Sequence, residues 1–300
     1  RALEIAASGG HNVSLSGPPG SGKTILSKTM VTIMPSLKID EALEITKIYS
    51  TANLLTPKKP IITARPFRAP HHSSSSASLV GGGRIPKPGE ISLAHRGVLF
   101  LDEFPEFPRA VLEALRQPLE DNVVTVSRVQ STVSYPANFI LVAAQNPCPC
   151  GFFGDEKKEC SCSALQRINY QKKISGPIID RIDMFVQVPR IKFEKLSSKQ
   201  LSESSAKIRA RVEKTRDIQR QRFIKSNILL NSEMTNQEID KFCELDSKCQ
   251  QLLKQAMTKL NLSPRSYFRI IKLSRTIADL GSSEKIKSQH VAEALQYRDG

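Results

Sequence analysis

The eight residues Gly17-Pro18-Pro19-Gly20-Ser21-Gly22-Lys23-Thr24 stand in the order that a Walker A phosphate-binding loop requires. Glycines let consecutive backbone N–H groups curl round phosphate oxygens where a helix begins. In that setting Lys23 reaches the β- and γ-phosphates, and the Thr24 hydroxyl coordinates Mg²⁺. A second run, Gly97-Val98-Leu99-Phe100-Leu101-Asp102-Glu103, is an apolar strand ending in two acids. Asp102 is suited to hold Mg²⁺ through its water shell, and Glu103 to polarise an attacking water. Each run has a bland alternative: a turn for the first, a helix cap for the second. Together they argue for a site that takes ATP and Mg²⁺.

Such a loop needs a strand before it and a helix after it. Residues His11–Ser16 alternate as a strand does, and Thr24–Met34 has the spacing of an amphipathic helix. Ala2–Ala7 reads as a short helix closed by Gly9-Gly10, and Phe139–Ala144 as a further apolar strand. Residues 56–89 are rich in Pro, Ser and Gly, which predicts loops or a small insertion. A helix is predicted over Pro108–Leu119. Val123–Ser127 and Ser131–Tyr135 follow as two strands joined at Arg128-Val129-Gln130. From about Leu196 the pattern turns helical, over Lys199–Phe223, Thr235–Glu244, Ser247–Leu260, Pro264–Leu280 and Ser288–Gln296. Ser263 before Pro264 marks a helix start. The expected fold is α/β, with a parallel sheet in residues 1–192 and an all-helical domain in 193–300; no internal repeat is evident.

Apolar residues at 39% and charged residues at 24% place the 300-residue chain among ordinary globular proteins. No stretch approaches the roughly 20 apolar residues of a membrane span, and the expected compartment is the cytoplasm. The chain opens on Arg1 rather than Met, so residues are expected to have been lost from its front. The formal charge is +15, with +4 in residues 1–150 and +11 in 151–300. That excess favours a polyanionic partner, nucleic acid first, against the alternative of solvated lysines. Lys207, Arg209, Arg211, Lys214, Arg216, Arg220 and Arg222 lie on one predicted helix, whose default reading is a solvated face.

Cys148 and Cys150, then Cys160 and Cys162, form two close pairs that can supply a tetrahedral zinc site. C-x-C is a less usual spacing than C-x₂-C, and four reduced thiols are the other reading. Cys243 and Cys249 read as packing residues, and His71 and His72 as structural or loop-orienting, having no third ligand nearby.

The two phosphate-site motifs resemble those of AAA+ ATPases, and this resemblance assigns further roles. Asn146 falls at the polar sensor 1 position after a strand, Arg181 in Ile179-Asp180-Arg181-Ile182-Asp183 at the arginine finger, and Arg265 at sensor 2. For the two arginines, an ordinary salt bridge and surface charge are the competing readings.

Further segments narrow the likeness. Pro66-Phe67-Arg68-Ala69-Pro70-His71-His72, Gly81-Gly82-Gly83, Pro88-Gly89-Glu90-Ile91-Ser92-Leu93-Ala94-His95-Arg96 and Gln145-Asn146-Pro147-Cys148-Pro149-Cys150-Gly151 resemble the ComM/YifB family of magnesium-chelatase-like AAA+ ATPases. The resemblance spans essentially the whole chain. It implies a hexameric ATP-driven ring acting on DNA, as a branch-migration helicase in natural transformation, and an N-terminal Lon-protease-like domain outside these residues. It further implies that a hairpin, here Val123–Tyr135 with Arg128 at its tip, and an insertion near Gly81–Pro88, with Arg84 and Lys87, face the ring centre. Basic groups there suit phosphate contacts to branched or single-stranded DNA without base specificity. A chelatase-type subunit that remodels a partner protein is the alternative. A motor that pulls polypeptide ranks last, for want of an aromatic-hydrophobic pore loop.

Overall fold

The computed structural model describes residues 1–83, 86–128, 131–174, 176–190, 203–226 and 228–298. Its strands, in chain order, are β1 (Val13–Ser16), β2 (Phe67–Arg68), β3 (Gly81–Gly82), β4 (Lys87–Pro88), β5 (Val98–Leu101), β6 (Val123–Arg128), β7 (Ser131–Pro136), β8 (Ile140–Gln145) and β9 (Met184–Gln187). Five of them form one sheet in the order β2-β5-β8-β1-β9, with every neighbouring pair parallel. A parallel sheet is covered on both faces, so its central strands β5 and β8 are near-continuous apolar runs, whereas β1 alternates as Val13-Ser14-Leu15-Ser16. All four residues of β5 are buried.

Alternate side chains of one strand nevertheless serve different cores. Val98 and Phe100, with Val13, Leu15, Val142 and Met184, join a cluster that includes Ile5 and Met30 and also Val212, Ile270, Ile277 and Val291 from the helical part. Leu99 and Leu101, with Leu141 and Ala143, pack instead with Leu79, Ile91, Phe104, Leu112, Val124 and Ile178. The helical region therefore shares its core with one face of the sheet. The boundary expected at 192/193 lies outside the described residues.

The helices are α1 (Ala2–Gly9), α2 (Lys23–Ile33), α3 (Ile39–Thr51), α4 (Ser76–Val80), α5 (Glu90–Leu93), α6 (Arg109–Ala114), α7 (Arg116–Asp121), α8 (Ala164–Gln171), α9 (Gly176–Ile179), α10 (Ser205–Arg222), α11 (Asn236–Phe242), α12 (Ser247–Lys259), α13 (Pro264–Leu280) and α14 (Ser288–Gln296). The helix expected over Pro108–Leu119 is in fact two, α6 and α7, meeting at Leu115. Pro118 has no N–H to offer the carbonyl four residues back, which is why the first helix stops short. α13 begins as its sequence predicts, with Ser263 Oγ accepting from the N–H of Ser266 at 3.3 Å.

Two arginines of α10, Arg216 and Arg222, turn inward, against the default reading of the run as a solvated face. Arg216 is buried, its guanidinium donating to the Ala7 carbonyl at 2.9 and 2.6 Å. Arg211 pairs with Glu4 and Glu203, Arg222 with Asp279, and Arg209 donates to the Thr32 carbonyl. These bonds fasten α10 to α1, α2 and α13, so the basic run holds the helical part onto the core. No helix among the described residues is long and apolar enough to cross a membrane.

β6 and β7 form the expected antiparallel hairpin, and β3 pairs with β4 across the small insertion. The two elements are tied together: the buried Tyr135 hydroxyl donates to the Pro86 carbonyl at 2.8 Å. Lys87 is exposed. Arg84 and the side chain of Arg128 lie outside the described residues.

Candidate nucleotide site

Three strand ends meet where the chemistry is expected. The loop Gly17-Pro18-Pro19-Gly20-Ser21-Gly22 leaves β1 and enters α2, with Gly20 at φ 76° and Gly22 at φ 91°. Residues with side chains rarely adopt these angles, and a Cβ at either glycine would meet open space, so conformation rather than crowding asks for glycine. The loop is anchored by the Gly17 N–H, which donates to the Gln145 carbonyl at 3.2 Å.

Lys23 bridges the parts. Its ammonium donates to the carbonyls of Gly17 and Pro18 at 2.7 and 3.0 Å and to Asn146 Oδ1 at 3.3 Å. Burial lowers the pKa of this ammonium, with the charge of Asp102 opposing the shift. Thr24 Oγ1 donates to Asp102 Oδ2 at 2.9 Å, which brings the two expected Mg²⁺-binding groups together. In the same loop the Ser21 hydroxyl is buried with no hydrogen-bond partner among the described residues. A charged donor, an unpaired hydroxyl and an open turn of N–H groups fit a bound polyphosphate, and the Thr24–Asp102 pair fits a hard divalent cation.

Glu103 sits at the end of β5 with φ 52°, a left-handed conformation that costs a side-chain-bearing residue about 1–3 kcal/mol. Its carboxylate lies 3.0 Å from His72 Nδ1. His72 is held in turn by the ring of His71, centroids 4.1 Å apart, and by the edge of Phe107. Sequence reasoning missed this partner. The only signal was two histidines in a loop with no metal spacing, and 31 residues separate His72 from Glu103.

Arg181 and Arg265 are elsewhere. β1 and β9 run parallel with Val13 beside Met184, the phosphate loop follows the C-terminal end of β1, and Arg181 precedes the N-terminal end of β9. The length of the sheet, about 13 Å for four residues, thus separates Arg181 from its own loop. Its side chain is only 7% exposed, donates to the Pro177 carbonyl at 2.6 Å and pairs with Glu120. The bond from Arg181 and its charge, then the charge of Arg265 in the first turn of α13, hold the Glu120 carboxyl below its ordinary range. Arg181 thus pairs with an exposed carboxylate at the far end of the sheet, and the charge of Arg265 is felt there too. The salt-bridge alternatives for Arg181, Asp180 and Asp183, are not its partner: Asp183 is taken by Arg269 and the Asn12 N–H.

The four clustered cysteines do converge. Sγ–Sγ distances are 3.4 Å for Cys148–Cys150, 3.7 Å for Cys148–Cys160 and 3.6 Å for Cys150–Cys160. The Cys150 N–H points at Cys162 Sγ at 3.4 Å, and all four sulfurs lie within 4.8 Å of one another. Cys243 and Cys249 are buried in the helical part, apart from this cluster.

A family profile described as magnesium chelatase, subunit ChlI, matches residues 1–196, and one described as magnesium chelatase, subunit ChlI C-terminal, matches residues 202–298. Competence protein ComM of Haemophilus influenzae is 46% identical over 99% of this chain and 57% of its own length. The uncharacterized protein YifB of Escherichia coli is 44% identical over 99% of this chain and 58% of its own. The chloroplastic magnesium-chelatase subunit ChlI of Oryza sativa subsp. indica is 23% identical over 45% of the chain and 38% of its own. The chain thus spans little more than half the length of the two bacterial relatives.

Proposed function

The chain belongs to the ComM/YifB branch of the magnesium-chelatase family of AAA+ ATPases, and on that premise we propose that it is the ATPase engine of a ring, most simply a hexamer, that moves branched or single-stranded DNA in the cytoplasm. One observation carries the reading: Lys23, Thr24, Asp102, Glu103 and Asn146 gather at one end of the sheet, while Arg181 and Arg265 stand at the other. A single chain thus holds two halves of different sites, and head-to-tail neighbours complete them.

In that assembly the N–H groups of residues 17–22 and the ammonium of Lys23 hold the phosphates of ATP. Thr24 and Asp102 hold Mg²⁺, which when bound neutralises charge developing on those phosphates. Glu103 takes a proton from the attacking water. For that it must leave His72, so the His72–Glu103 contact is a resting position. Asn146 orients the water once Lys23 turns from its amide to phosphate. Arg181 of the adjoining subunit, with Arg265, stabilises the transferred charge.

The DNA-facing part of the proposal rests on the hairpin and the insertion, joined through Tyr135 and Pro86, with Arg84, Lys87 and Arg128 on phosphates. The name competence protein, borne by one relative, agrees with a role in transformation. Steady-state ATPase with and without a four-way DNA junction, across salt and protein concentration, tests the proposal. Salt-sensitive stimulation that grows with protein concentration and vanishes in Lys23→Ala is the expected result. Stimulation by a partner protein and by no DNA would favour the chelatase-type alternative.

His72→Ala gives a smaller, separate readout. Glu103 is 55% exposed, so its pair with His72 is worth only about 0.2–1 kcal/mol. The DNA-free rate should rise by a factor of about 1.4 to 5 by the same measure. An unchanged or lower rate would show that His72 does not restrain Glu103.

A further inference from the structure

The four clustered thiols are not gathered by packing. Cys150, Cys160 and Cys162 are only half-buried, so apolar burial does not explain why a chain reversal brings them against the fully buried Cys148. The reversal itself is built. Gly151 and Gly154 take left-handed angles of φ 84° and 76°, and Asp155 accepts from the N–H groups of Lys157 and Lys158 at 2.8 and 3.2 Å. Asp155 also accepts from Arg190 at 2.6 Å, and Arg167 donates to the Cys162 carbonyl at 2.7 Å.

The spacing of the sulfurs selects the ligand. A tetrahedral ion with metal–sulfur bonds of about 2.3 Å sets its four sulfurs about 3.8 Å apart. The separations among Cys148, Cys150 and Cys160, 3.4 to 3.7 Å, lie just inside that edge, and Cys162 Sγ is within 4.8 Å of all three. An iron–sulfur cluster interposes several atoms between its cysteines and needs them farther apart. The N–H of Cys150 on Cys162 Sγ is the kind of contact that steadies a metal-bound thiolate.

Position gives the site its consequence. Cys148 lies two residues after Asn146. Gly151 packs so close to the phosphate loop that a Cβ there would fall 2.7 Å from Pro19 Cδ and 3.7 Å from Asn146 Cγ. The same short segment thus carries the cysteine pair, roofs the phosphate loop and holds the amide that contacts Lys23.

We propose that Cys148, Cys150, Cys160 and Cys162 bind one Zn²⁺, and that this ion clamps the Asn146–Gly151 segment against the phosphate loop so that turnover, rather than nucleotide binding, depends on it. The clamping role rests on the ATPase reading; the metal site does not.

The first measurement is metal content by mass spectrometry of the whole chain purified without chelator, with Cys160→Ser/Cys162→Ser beside it. About one zinc per chain, absent from the double variant, is expected. Replacement by Co²⁺ should give the visible absorption of a tetrahedral thiolate site. No zinc, together with four thiols that react with Ellman's reagent in the native chain, would overturn the site. For the clamp, the double variant should keep its affinity for a fluorescent ATP analogue while turnover falls about tenfold or more. Turnover unchanged after zinc loss would overturn the clamp alone. Should the double variant fail to fold, timed removal of zinc from the wild-type chain by a chelator, followed by re-addition, reads the same dependence. A zinc-loaded wild-type chain that neither binds nor hydrolyses ATP would count against the ATPase reading and leave the metal site standing.

Discussion

Arg181→Ala is expected to lower ATP turnover by about a thousandfold or more, the usual worth of an arginine finger, with nucleotide still bound. Loss of turnover alone does not show that the arginine serves a neighbour, because Arg181 also fastens α9 to α7 through Pro177 and Glu120. Mixing separates the two roles. Glu103→Gln subunits keep the finger and lack the base, while Arg181→Ala subunits keep the base and lack the finger. In randomly mixed head-to-tail rings about a quarter of the interfaces join an intact base to an intact finger. Activity should therefore reappear from two inactive preparations. If mixed rings form and no activity returns at any ratio, Arg181 is a structural residue.

Asp183→Asn should cost about 3–5 kcal/mol of stability, the range for removing one partner of a buried ion pair. Asp183 is 4% exposed by side chain and pairs with Arg269, while the Asn12 N–H donates to it at 2.8 Å. Asn12 in turn donates to the Arg181 carbonyl at 3.1 Å and accepts from the Leu141 N–H at 2.8 Å. This one carboxylate therefore links the starts of β1, β8 and β9 to α13, and an amide leaves Arg269 without its counter-charge. Burial alone would raise the carboxyl, but the charge of Arg269, the nearby His11 ring and the bond from the Asn12 N–H hold it well below the usual carboxylate range. The sign follows. The contribution is fully present above the unfolded value near pH ~4 and is lost as pH falls below it. Denaturant midpoints at pH 7 and across the acid range test this. A variant that loses less than about 1 kcal/mol, or keeps the wild-type slope in acid, would show that the pair is not integral.

The phosphate loop and the Asp102-Glu103 run were legible because their chemistry is local. Order along the chain fixes which strand end carries them, and the helix after the loop supplies the N–H groups. Asn146 was singled out by the AAA+ resemblance rather than by its own chemistry, and the cysteine convergence by spacing. What escaped depends on partners distant in sequence. Nothing in a run of arginines tells which of them will meet the carbonyl of Ala7 or the carboxylate of Asp279. His72 gave no sign of Glu103, nor Arg181 of Glu120. α3 was missed because two of its apolar residues, Ile39 and Leu43, are exposed and blur the amphipathic pattern. The break between α6 and α7 was signalled by Pro118 and outweighed by the apolar spacing around it.

The paired arginines of α10 also change what the charge of the chain means. Four of the seven basic residues in that run, Arg209, Arg211, Arg216 and Arg222, already bond to groups of the chain itself, two of them at its surface. A cation already satisfied within the protein has no phosphate to neutralise and displaces no condensed ion from a polyanion. The formal +15 therefore overstates how many counterions this chain can exchange. On the reading proposed above, phosphate contact falls to basic groups outside this run, such as the exposed Lys87 of the insertion.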